Sequence, residues 1–236
     1  MPGMRVLDMG SGMGDVAFLV SDLVGPRGEV VGADLAPAIV ATASDRAREL
    51  SRTNVTFVEG DPSEMSFDRP FDAVVGRYVL MYQQDPVRTL RSLSARMRPG
   101  GVIVFHELDW GGARSFPQAP IYDQCCRWVV EALRCGGADA YMGSKLYSAF
   151  KRAGLPAPVM RLEAIVGGAD DPSSAVADLL ATVFPASVVS TLERHGVAQS
   201  ADIDAATLPD RMSAEIAKLG SAVVGRSEVG AWTRRL

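Results

Sequence analysis

Three acidic residues and one glycine-rich turn carry the chemistry legible in this sequence. The turn reads Gly10-Ser11-Gly12-Met13-Gly14, between a short apolar run holding Asp8 and a helical stretch that opens near Asp15. Glycines at a strand-to-helix turn let a ligand approach the backbone and meet the amides of a helix N-terminus. Flavin, nicotinamide and other nucleotide sites share that feature, so the neighbours must discriminate. Asp8 lies two residues before Gly10, and Asp15 stands where a nicotinamide fingerprint has its third glycine. Both argue against a pyrophosphate at that helix end, and a ligand bearing a cation fits better. Asp34, twenty residues after Gly14, ends the second strand-like run, where a carboxylate can accept two hydrogen bonds from a ribose diol. Asp61, within "VEGDPSEMSF", ends the third run. The three acids converge on one crevice if their strands lie side by side.

Such strands require a scaffold, and the pattern of residues 4–108 provides one. Short β-branched runs at 5–7, 29–32, 55–58, 71–75 and 101–105 alternate with amphipathic stretches at 36–52 and 85–98. Pro37 suits a first helical turn, as does Pro86 behind the N-cap candidate Asp85, and Pro99-Gly100-Gly101 stops the second helix. Repeated strand-helix alternation implies right-handed crossovers and a doubly wound α/β fold, with a mostly parallel, seven-stranded Rossmann-like sheet. After Leu108 the rhythm breaks. Helices are expected at 118–135, 144–153, 172–183, 186–195 and 207–219, with a strand at 159–166 and a short final one around 230–233. We therefore expect a single domain: a ligand-binding core at 4–108, helical cap insertions at 109–142 and 167–220, and a closing strand within 221–236.

Composition narrows the class. With 236 residues, 47% of them hydrophobic, the chain can bury one sizeable core, so a disordered or fibrous protein is not expected. A net charge of -4 supplies no basic field for phosphates, which disfavours a nucleic-acid partner. Cys125, Cys126 and Cys135 fall within eleven residues without metal-ligand spacing, so no metal is expected and the thiols read as reduced. The start has no basic and apolar leader, and no apolar run approaches the ~20 residues that span a bilayer. A cytoplasmic protein without a membrane partner is expected. Lys145, Lys151 and Lys218 are its only lysines, as in a GC-rich bacterial coding sequence.

Taken together, "VLDMGSGMGD", "VVGADLAP", "FVEGDPSEMSF", "FDAVVGRYVLMY" and "MRPGGVIVFHELDW" resemble the class I S-adenosylmethionine-dependent methyltransferases. The resemblance covers about residues 4–108 and is strongest toward small-molecule enzymes of quinone and secondary-metabolite type. It implies S-adenosylmethionine as cofactor and S-adenosylhomocysteine as product. The loop of Gly10, Ser11, Gly12 and Gly14 would follow the methionine moiety, with Asp8 near its ammonium. Asp34 would hold the ribose hydroxyls, Leu35 the adenine face, and Asp61 the adenine amino group beside Pro62 and Ser63. Gly76 and Arg77 would lie by the methionyl tail. The family also places one or two helices before its first strand. None precedes Arg5 here, so a start internal to a longer protein is expected. The alternative covers are the helices of 109–142 or 167–220, or those of a partner subunit in a homodimer.

Transfer of a methyl group from a sulfonium is an in-line displacement in which alignment does much of the work, so a general base is optional. His106 and Glu107 end the fifth run with opposite orientations, so one of them is expected to face the crevice as a base or acceptor contact; the alternative for His106 is a structural hydrogen bond. Asp109 and Trp110 follow. Tyr78, Tyr82, Trp110, Tyr122 and Tyr141 are candidates for an aromatic acceptor pocket, or for core and wall. His195 reads as a surface residue. Structural readings stay open for Asp34 as helix entry, Asp61 as a turn former and Arg77 as an ion-pair partner. The expected function is methylation of a small aromatic or hydrophobic metabolite. The alternatives are a family member doing non-methylating chemistry such as cyclisation, a cofactor-binding scaffold subunit and, more distantly, a nicotinamide oxidoreductase.

Overall fold

The computed structural model describes residues 2–171, 175–183 and 186–236. Its strands are β1 (Arg5–Met9), β2 (Glu29–Asp34), β3 (Val55–Glu59), β4 (Phe71–Arg77), β5 (Met97–Asp109), β6 (Arg114–Phe116), β7 (Val159–Gly167) and β8 (Ala222–Arg234). The helices are α1 (Asp15–Val24), α2 (Pro37–Glu49), α3 (Pro86–Ala95), α4 (Pro120–Cys135), α5 (Met142–Arg152), α6 (Ala175–Val183), α7 (Ala186–Arg194), α8 (Ser200–Ile203) and α9 (Leu208–Leu219), with a 3-10 turn at Leu80–Tyr82. Residues 172–174, at the head of one expected helix, lie outside the described residues. The chain divides into two compact units. One holds the residues up to Glu107, Lys145–Arg161 and Gly230–Leu236, and the other Leu108–Ser144 and Leu162–Val229.

In the first unit the strands run β3-β2-β1-β4-β5, all parallel. The end of the chain joins β5, where the Gly100 amide donates to the Arg235 carbonyl and the Arg235 amide to Gly101, both at 2.9 Å. β2 and β4 flank β1 on opposite sides, so the winding direction reverses there. Right-handed crossovers then put α1 and α2 on one face and α3 on the other. Val6, Val30, Val55, Phe57 and Ala73 of the sheet pack with Ala17, Phe18, Val24, Ala43 and Ala47. At such a reversal a crevice opens above the carboxyl ends of the strands.

Local rules explain the boundaries. Asp85 caps α3, its Oδ1 accepting the Arg88 amide at 2.9 Å, with Pro86 at the first helical position. The helix ends at Ala95 and not near 98, because Met97 already pairs with Phe71 in the sheet. The register slips between Phe71 and Ala73 and absorbs Pro99, which has no amide to give a ladder.

The second unit has its own core, where α4 meets α6, α7 and α9. Tyr122, Cys125, Cys126, Val129, Leu179, Leu192, Ile203, Met212 and Ile216 pack together. This unit gathers both blocks that the sequence presented as separate insertions. β8 starts eight residues before the expected 230. Its buried positions include Gly225 and Ser227, so burial alternates while hydrophobicity does not. β6, which pairs antiparallel with β8, has only three residues and left no periodic signal; with it the strands number eight among the described residues. Burial pushes the Cys125 and Cys126 thiols up to about 12, which keeps both protonated and unreactive at neutral pH.

Candidate functional site

The carboxyl end of β1 holds a buried group that the protein does not satisfy. Asp8 is 1% exposed, and its Oδ2 has no hydrogen-bond partner among the described residues. Burial pushes this carboxyl up to about 7; the Ala17 amide and the Arg77 charge oppose the rise, and Asp34 adds to it. Three residues on, the buried Ser11 hydroxyl is also unpartnered. Buried polar groups are almost always paired, so two orphans beside a glycine turn point to a polar ligand. Gly12 has φ +52° and nothing within 4 Å of where a Cβ would stand, which leaves the loop's outer side open. Gly10 has φ +65°, and a Cβ there would stand 2.7 Å from Val79. Following Gly14, α1 begins with no side-chain cap on its amides.

The next strand end is wired to this loop. The Asp34 carboxylate accepts the Gly12 amide at Oδ2 and the Ala36 amide at Oδ1, both at 3.0 Å, leaving its remaining lone pairs for a ligand. Asp61 forms a turn, its Oδ1 accepting the Ser63 amide at 2.7 Å, and the Gly60 amide donates to the Asp34 carbonyl at 2.9 Å. A cavity of about 280 Å³ brings together Gly10, Asp34, Leu35, Asp61, Pro62, Tyr78 and Tyr82 of the residues singled out from the sequence. Met9, Ala33, Gly60, Val79 and Gln83 complete the lining and were missed. Gly60, with φ +132° just before Asp61, was a readable turn signal; Val79 and Gln83 enter through tertiary packing.

Other expected contacts stand around the cavity. Asp8 on β1 and Ser11, Gly12 and Gly14 in the turn after it do not line the cavity, although their neighbours Met9 and Gly10 do. The Ser63 carbonyl accepts the Ser92 hydroxyl at 2.6 Å. Gly76 is buried where a Cβ would stand 2.5 Å from Phe105, so its space is already filled by protein. Arg77 is exposed, its guanidinium 5.3 Å from the centre of the Tyr78 ring. Asp15 requires a correction. It is exposed and pairs with Arg46 at 3.0 Å, while Arg46 also donates to the Met13 carbonyl. Its charge is offset by a neighbouring helix, so the case against a pyrophosphate rests on Asp8.

The catalytic and acceptor candidates separate. The Glu107 carboxylate, fully buried, accepts the backbone amides of Val79, Leu80 and Met81, so it is engaged by protein and is no base for an acceptor. His106 is half-buried, with its ring 5.5 Å from that of Tyr78. Asp109 also serves the backbone, accepting the amides of Gly111 at 2.9 Å and Ser144 at 2.6 Å. Tyr122 is core: it is fully buried, and its hydroxyl donates to the Val224 carbonyl at 2.9 Å. Tyr78 and Tyr82 line the cavity of the first unit, whereas Trp110 and Tyr141 line a different one, of about 450 Å³, in the second. His195 is exposed just beyond α7.

A doubly wound sheet whose three adjacent strand ends carry acids around a glycine turn defines the class of nucleoside-binding α/β proteins. More narrowly, the chain belongs to the methyltransferase family, because residues 1–154 match the family model described as a methyltransferase domain. It is 35% identical over 153 residues to a 2-phytyl-1,4-naphtoquinone methyltransferase of Synechococcus elongatus, covering 61% of this chain and 64% of that protein. To a demethylmenaquinone methyltransferase of Lactococcus lactis it is 32% identical over 123 residues, covering 52% and 46%. The chain thus spans less than two thirds of these curated relatives. The crystal structure of the YcgJ protein from Bacillus subtilis superposes with a TM-score of 0.57 at 19% identity, covering 99% of this chain and 93% of that one, which shows the shared fold.

Proposed function

We propose that this chain moves the methyl group of S-adenosylmethionine to a small hydrophobic ring acceptor of quinone type, leaving S-adenosylhomocysteine. The observation that carries the reading is the buried carboxylate of Asp8 just before the glycine loop, one of whose oxygens has no partner among the described residues. An ammonium there supplies the missing partner and restores the charged form. Asp34 has lone pairs left for ribose hydroxyls, Leu35 offers an apolar face for adenine, and Asp61 accepts from its amino group. When bound, S-adenosylmethionine supplies an electrophilic methyl on sulfur. What the protein contributes is alignment, which carries much of the rate in such displacements. The relatives' names supply the acceptor class. His106, on β5 with its ring 5.5 Å from that of Tyr78, is our candidate to take a proton from an acidic acceptor. The unreactive buried thiols suit a reducing compartment, and we place the protein in the cytosol.

Calorimetric titration with S-adenosylmethionine, S-adenosylhomocysteine and NAD tests the cofactor. Mass spectrometry of a demethylated naphthoquinol incubated with the protein then tests transfer. Binding of the two sulfur nucleosides without NAD, and one added methyl group, is the expected result. NAD binding alone would overturn the reading. Replacing His106 with Ala is expected to cut turnover about 10-fold or more while leaving cofactor affinity within a factor of two; unchanged turnover removes the base.

A further inference from the structure

The cavity wall that carries Tyr78 and Tyr82 is built on a strained residue. Tyr78 has φ +54°, in the left-handed region that bulky side chains avoid. Its amide donates to the His106 carbonyl at 2.9 Å. The next three amides turn toward a single side chain: Val79 and Leu80 donate to Glu107 Oε1 at 3.1 and 2.8 Å, and Met81 to Oε2 at 3.2 Å. Successive amides wrapped around an anion form a nest. Glu107 is fully buried, so losing any of these three amides would cost its carboxylate a donor that water does not replace. Carboxylate and loop therefore specify one another. From the other side, Val79 fills the space that a side chain at Gly10 or Gly76 would need, with 2.7 and 2.9 Å to the would-be Cβ atoms.

We propose that Glu107 is a positioning residue whose buried carboxylate clamps residues 79–81, so that the strained Tyr78 and the following Tyr82 form a fixed wall of the nucleoside cavity. Glu107 acts on the ligand only through that loop. The strain at Tyr78 is the cost of aiming its ring at the cavity, and the nest is what holds it. The proposal rests on the cofactor reading above only for the ligand used to probe the wall.

Two measurements on the full chain test it. The first is S-adenosylhomocysteine affinity by calorimetry, well below the melting temperature. Glu107→Gln is expected to weaken binding about tenfold. Val24→Ala, a buried change at the end of α1, is expected to lower the melting temperature by ~5 °C, as Glu107→Gln is, and to leave affinity within a factor of two. The second is a melting cycle. Glycine tolerates the left-handed backbone, so Tyr78→Gly is expected to shift melting by no more than ~2 °C, and to shrink the Glu107→Gln penalty by about half. Affinity of Glu107→Gln within twofold of wild type, or strictly additive melting shifts, overturns the clamp. If Glu107→Gln alone does not fold, a folded double variant supports the clamp and an unfolded one overturns it. Should the wild-type chain fail to bind S-adenosylhomocysteine, the cofactor reading falls and the melting cycle alone decides.

Discussion

Arg5 and Asp8 stand three residues apart on β1, both almost fully buried, and the protein treats them in opposite ways. At the amino end of the strand Arg5 is saturated. Its guanidinium reaches Glu29 at 3.2 Å, Asp68 at 2.8 Å and the Arg69 carbonyl, lies 4.5 Å over the ring centre of Phe71, and its own amide donates to Asp72 at 2.7 Å. At the carboxyl end Asp8 keeps one oxygen without a partner. One end of the sheet stabilises the fold with paired charge, and the other leaves one buried carboxyl oxygen unmatched among the described residues, where the proposed function puts the cofactor's ammonium. Buried polarity is therefore a guide to function only after its partners have been counted.

The sharpest way to break this contrast is Asp8→Asn. It removes the charge and keeps the shape, so S-adenosylmethionine affinity is expected to fall at least ~100-fold while the ligand-free melting temperature holds or rises; calorimetry and thermal unfolding read the two effects. A loss of both would make Asp8 another structural group like Arg5.

The pH dependence comes next. The Asp8 carboxyl is raised in the folded chain to about 7 from 3.8, so the folded state holds its proton more tightly than the unfolded state does. Its contribution to stability is complete below about 4 and is lost as pH rises through 7, so ligand-free melting is expected to fall by ~5 °C or more between pH 5 and 7.5. Asp8→Asn should flatten that slope. Asp72 has the opposite sign. Partial burial works to raise it, but the Arg5 amide, Arg98 and Arg69 outweigh this and hold it below 3.8, so its contribution disappears as pH falls below that value.

At the amino end, Arg5→Met is expected to cost about 2 kcal/mol in denaturant unfolding and to leave cofactor affinity within twofold. The acids it abandons are partly hydrated and forgo less than buried partners would. The smallest expected effect belongs to Arg46→Ala. Its pair with Asp15 is exposed, so stability should change by less than ~1 kcal/mol. Release of the Met13 carbonyl should weaken cofactor binding by only ~2–5-fold, again by calorimetry.

The glycine turn and the acids at 8, 34 and 61 were legible because they depend on the order of elements, and helix starts such as Asp85-Pro86 follow local rules. Side-chain roles that depend on distant partners were not. Glu107 read as a candidate base until the amides of residues 79–81 closed around it. Asp15 read as a repulsive charge until Arg46, on another helix, paired with it. Five aromatic residues read as candidates for one acceptor pocket or for core and wall, and the sequence could not choose between these. The fold instead buries Tyr122 and divides the other four between cavities in two units.

Sequence by itself determined the alternation that builds a doubly wound sheet, the place of its glycine turn and the acids at its strand ends, because chain order and the handedness of crossovers leave little choice. Only the tertiary structure decided which charges are satisfied. A partner such as Arg46, Arg5 or the amides after Tyr78 can come from anywhere in the chain, and a missing partner, as at Asp8, is visible only when every neighbour is in place.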